Sequence, residues 1–108
     1  MFEFLNMANN YADRKIDNTI INEVTIDTCS VTDSPQPYET GIQGKIYNNG
    51  KWIIIEQYDT KKEAQQGHNK WVKIFTNGLP KEIKDVSTCK IVQIIEIFGG
   101  AKNPVYTK

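Results

Sequence analysis

Between Thr60 and Gly78 the chain carries one complete helix signal, and it dictates how the remaining residues must be arranged. Thr60-Lys61-Lys62-Glu63 has the form of a capping box. A threonine hydroxyl there accepts from the N–H of Glu63, and the Glu63 carboxylate reaches back to the N–H of Thr60. Ala64, His68, Trp71, Val72 and Phe75 then recur at the spacing of one helical face. Asn77-Gly78 supplies a positive-φ stop before Leu79-Pro80, and Leu79 is expected to fold back on Ile74. A helix with one apolar stripe must bury it against another layer.

The segments around it read as strands. In residues 23–29, Val24, Ile26 and Thr28 alternate with Thr25, Asp27 and Cys29, which is the period of a half-buried strand. Residues 11–16 and 20–31 are predicted to be extended, and residues 32–37, with Asp33, Ser34, Pro35 and Pro37, form a loop. Residues 38–47 re-enter an extended path, with Gly41 and Gly44 marking a bulge or a close backbone approach. Asn49-Gly50 predicts a tight hairpin turn into a strand over 51–58. Trp52-Ile53-Ile54-Ile55 is apolar on both faces, as a central strand under a helix would be. Residues 81–86 read as a connector, 88–98 favour a second helix over a strand, and 1–10 and 101–108 are expected to be loosely ordered. The fold class is α+β: one domain over 1–108, an antiparallel sheet of four to five strands with one or two helices packed on one face.

Composition narrows the function. Thirteen basic and thirteen acidic side chains balance in 108 residues, unlike the basic excess of a general nucleic-acid binder. Arg14 is the single arginine, which removes the preferred phosphate fork. The balance conceals a net charge of −5 over residues 1–60 and +5 over 61–108. Either the halves interleave and cancel, or the surface is dipolar and steers a partner. No run approaches 18 apolar residues, and Met1 to Leu5 lacks the basic start of a secretory signal. A cytoplasmic protein with reduced thiols at Cys29 and Cys89 is expected, with no membrane and no nucleic-acid partner.

Chemistry-bearing motifs are sparse. There is no C-x-x-C pair, and His68 is the single histidine, so no metal site, no cofactor and no catalytic set is expected. His68 is read as a boundary histidine donating to a backbone carbonyl, and Gly67 as a site of close helix–sheet packing. A Cys29–His68 nucleophile pair would need the two within hydrogen-bond reach. The candidate binding residues are Asp33, Tyr38, Glu39 and Thr40 in and after the Pro-flanked loop, with His68 and Trp71 on the helix.

Residues 26–34 with 37–41, and 47–56 with 58–64 and 67–72, resemble small proteins of about this length encoded by tailed phages and prophages. The resemblance covers roughly residues 11–95 and carries no functional residues with it. It implies a bacterial cytoplasm and a phage-type role, as an assembly factor or an inhibitor of a host system. The leading expectation is therefore a non-enzymatic protein that binds a host or phage protein through residues 33–40 and the exposed sheet face. The second is a homodimeric sponge closing a small-ligand pocket, for a nucleotide signal, between His68, Trp71 and the loop. The third is a Cys/His enzyme.

Overall fold

The computed structural model describes residues 14–32, 35–86 and 104–108. Four strands, β1 (Lys15–Ile21), β2 (Val24–Ser30), β3 (Tyr38–Gln43) and β4 (Ile53–Tyr58), form an antiparallel sheet in the order β1-β2-β3-β4. Helix α1 (Lys61–Thr76) packs across one face and touches all four strands. Two short strands, β5 (Glu82–Lys84) and β6 (Val105–Thr107), pair antiparallel beside it. This is the α+β architecture expected of the sequence. The predictions for 1–10 and 88–98, and Asp33 and Cys89, lie outside the described residues.

The helix begins as its sequence dictates. Glu63 N–H donates to Thr60 Oγ1 at 3.1 Å. The Glu63 carboxylate, however, takes the Thr60 hydroxyl proton at 2.9 Å, where the backbone N–H was expected. Ala64, His68 and Phe75 are buried and Trp71 and Val72 half-buried, as the periodicity requires. Leu79 packs on the main core, and Ile74 lies at the surface.

Several boundaries move for identifiable reasons. The segment 20–31, read as one extended run, is broken by a two-residue turn at Asn22-Glu23, with φ of 51° and 67°. Two successive positive φ values match the right-handed twist of the flanking strands. The Asn49-Gly50 hairpin is not a two-residue turn. β3 stops at Gln43, and Asn48, Asn49 and Gly50 all adopt positive φ. The chain detours there because Tyr47 is drawn fully into the core, where its hydroxyl donates to the Pro80 carbonyl. Among the described residues β4 lies at the end of the strand order. Its isoleucines are buried on both sides all the same, and Val86 N–H closes on Ile54 O at 2.7 Å. The expected connector contains β5, and residues 105–107, read as a polar tail, are its partner strand. Tyr106 packs on the core, which explains why that tail is held.

The core has two unlike halves. Val24, Ile26, Ile42, Tyr47, Ile53, Ile55, Phe75 and Ile83 form the apolar half, under the second half of α1. Under its first half, at Ala64, Gly67 and His68, the sheet offers Thr28, Thr40 and Tyr58 instead.

Candidate functional site

Strand register builds this polar half. Thr28 stands opposite Thr40, just as Ile26 stands opposite Ile42. All four project towards the helix, because alternate residues share a face. Thr28 Oγ1 and Thr40 Oγ1 are 2.5 Å apart. Thr40 Oγ1 lies 2.9 Å from the Tyr58 hydroxyl, which donates to Glu56 Oε1 at 3.0 Å. From the helix, His68 Nδ1 meets Thr28 Oγ1 at 2.7 Å and Nε2 meets Thr19 Oγ1 at 3.0 Å. One unbroken chain of hydrogen bonds therefore runs Thr19–His68–Thr28–Thr40–Tyr58–Glu56 through the interior. An unpaired buried polar group is costly, so a chain with every member engaged is the form such a seam must take.

Each end carries a carboxylate. At the outer end Glu56 accepts from Lys70 Nζ at 2.6 and 2.8 Å and from Trp71 Nε1 at 2.8 Å. Burial works to raise its carboxyl, but these bonds and the Tyr58 hydroxyl prevail and hold it below the usual carboxylate range. At the other end Asp17 Oδ2, on a partly exposed side chain, stands 3.8 Å from His68 Nε2. The Asp17 carboxylate also accepts from Gln65 Nε2 at 3.1 Å and from Asn18 N–H at 2.8 Å. It too is held low, these bonds outweighing the effect of burial.

Gly67 makes the close approach possible. A Cβ there would fall 2.2 Å from the Tyr58 oxygen and 2.3 Å from two of its ring carbons. The close packing expected at Gly67 is therefore a tyrosine ring laid on helix backbone.

The candidate residues divide. Thr40, His68 and Trp71 are drawn into one network. Glu39 faces away from the helix and is buried, so neither it nor Thr40 belongs to an exposed loop surface. Tyr38 is half-buried at the start of β3. His68 is 1% exposed and bonded to two hydroxyls, not to the backbone carbonyl expected. Cys29 lies beyond Thr28 on the opposite sheet face, so it does not pair with His68. Burial, followed by the fields of Asp27 and Glu39, pushes its thiol up to about 12. Thr19, Thr28, Glu56 and Tyr58 were not singled out in the sequence. The threonines at alternating strand positions were visible there, but their partners depend on register.

Where the seam surfaces, Glu56, Tyr58, Glu63, Gln66, Gly67 and Lys70 line an open groove of about 260 Å³. The loop after β2 adjoins it. Val31 N–H closes that loop on Pro37 O at 2.8 Å, and Gln36 Nε2 reaches Asp59 Oδ1 at 3.3 Å. Pro35 and Pro37 are exposed. Among the described residues no cluster of His, Cys, Asp and Glu could hold a metal ion, and no helix is long and apolar enough to cross a membrane. No protein-family model, no curated protein and no solved structure matches the chain.

Proposed function

We propose that this chain is a non-enzymatic binding protein of the phage type it resembles, engaging a protein partner in the bacterial cytoplasm. The contact surface is the end of the molecule formed by the Pro35–Pro37 loop and the groove at Gln66 and Glu63. The state of His68 carries this reading. It is the one side chain suited to proton transfer near neutrality, yet it is buried with both nitrogens bonded to threonines. Cys29 is likewise held as an inert thiol. What the scaffold offers outward is a short loop stiffened by two prolines, which loses little freedom on binding.

The test is recovery of a partner from bacterial host lysate. Wild type and Cys29→Ala are expected to retain the same protein, and Gln36→Arg/Gln66→Arg to lose it. Retention by the double variant removes the loop and groove as the contact surface. Loss by Cys29→Ala restores the thiol to consideration.

A further inference from the structure

The direction of every bond in the buried chain follows from counting protons. The Glu56 carboxylate only accepts, so the single Tyr58 proton goes to it. The Tyr58 oxygen must then accept from Thr40, and Thr40, its proton spent, must accept from Thr28. Thr28 in turn accepts from His68. The imidazole is thereby fixed with its proton on Nδ1, and the Nε2 lone pair accepts from Thr19. That lone pair also faces Asp17, 3.8 Å away. The neutral chain thus lies between two carboxylates and holds one proton too few to serve both.

We propose that this chain is a proton-sensitive switch through the core: Glu56 at the groove sets its polarity, and one proton taken up at His68 Nε2 completes the Asp17 end at strand β1. Uptake at Nε2 leaves the Nδ1–Thr28–Thr40–Tyr58–Glu56 bonds as they are. Only the Thr19 hydroxyl turns, and Asp17 exchanges Gln65 for the imidazolium. The charged groups acting on His68 are Asp17 from β1 and Asp27 from β2; Lys15 of β1 acts on Asp17, and Tyr58 and Glu56 of β4 reach His68 through the threonines. On this face β3 presents the Thr40 hydroxyl and, opposite Tyr58, the phenol of Tyr38, and the helix brings Lys70, already committed to Glu56. Burial lowers the imidazole from its ordinary value, while Asp17 and Asp27 oppose that effect. The site therefore stays neutral near pH 7 and is loaded on acidification. Because Glu56 and Lys70 line the groove, a change there reaches β1 through six side chains. The device stands whether or not that groove binds a protein.

His68 is the only histidine, so its ring nitrogens can be read without ambiguity by ¹⁵N NMR of the full chain. At pH 7.5 wild type should show the Nδ1–H tautomer. Tyr58→Phe removes the link to Glu56, so Thr40 turns to Thr28, Thr28 to Nδ1, and the tautomer becomes Nε2–H. Thr40→Val should produce the same reversal, and serves if Tyr58→Phe does not fold. Asp17→Asn should weaken proton uptake by about threefold to tenfold, as loss of a near but partly solvated opposite charge implies. An Nε2–H tautomer in wild type, an unchanged tautomer in a folded Tyr58→Phe or Thr40→Val, or unchanged uptake in Asp17→Asn would each overturn the switch.

Discussion

Gly67 and Tyr58 are matched in size, and neither tolerates change without the other. In an exposed helix, replacing glycine by alanine gains about 1 kcal/mol. At Gly67 the added carbon meets the Tyr58 ring at 2.2–2.3 Å, and overpacking of that kind costs about 1–3 kcal/mol. Gly67→Ala is therefore expected to lower the unfolding free energy by up to about 2 kcal/mol in urea titration, and a gain in stability would contradict the packing. The glycine was conspicuous in the sequence because it sits in the middle of an otherwise well-formed helix. Its partner was not, because nothing local links residue 58 to residue 67. Buried Thr28 and Thr40 were equally hidden: a threonine in a strand reads as a β-former on either face. Cys29 was expected to be a reduced thiol, and it is buried as a free cysteine.

Elements were legible wherever the signal was local. The capping box and the apolar stripe placed α1 with its first helical residue immediately after the threonine cap. The alternation at 24–28 placed β2 as a strand, though Asp27 and Cys29 on its other face are buried as well. Turns were read less well, because Asn-Gly at 49–50 is a strong hairpin signal that the burial of Tyr47 overrides. The true hairpin turn uses Asn22-Glu23, and glutamate at a φ of 67° is unfavourable for its own backbone. Glu23→Gly should therefore raise stability by up to about 1.5 kcal/mol, the left-handed cost of about 1–2 kcal/mol less about 0.5–1 kcal/mol for the extra freedom of glycine in the unfolded chain. A lower thermal midpoint in that variant would mean that the Glu23 side chain contributes more than its strained backbone costs. β5 and β6 were illegible for another reason. Each is only three residues long, and they are brought together from residues 82–84 and 105–107 by Ile83 and Tyr106 meeting the core.

At the scale of the molecule, the opposed charges of the two halves are partly reconciled by the layering. The four-stranded sheet comes from the acidic half and α1 from the basic half, and Lys70 on Glu56 is an ion pair that joins them. The same layer boundary holds His68, whose folded imidazole is lowered by burial, whereas the unfolded chain titrates near the ordinary value of about 6.5. The unfolded state therefore takes up its proton first as the pH falls. The His68 contribution is complete above about pH 6.5 and declines below it, at most by about 1.4 kcal/mol per pH unit for one proton. Asp17 and Glu56, both held low, lose their contributions only on further acidification through the carboxylate range, and Cys29, raised to about 12, matters only in alkali. The interval from pH 7.5 to 5.0 consequently isolates the buried imidazole. The most direct measurement is the unfolding free energy of wild type and His68→Gln by urea titration across that interval. Wild type is predicted to lose stability towards pH 5.0 while His68→Gln stays nearly flat; equal slopes in the two proteins would contradict a neutral histidine at the centre of this core.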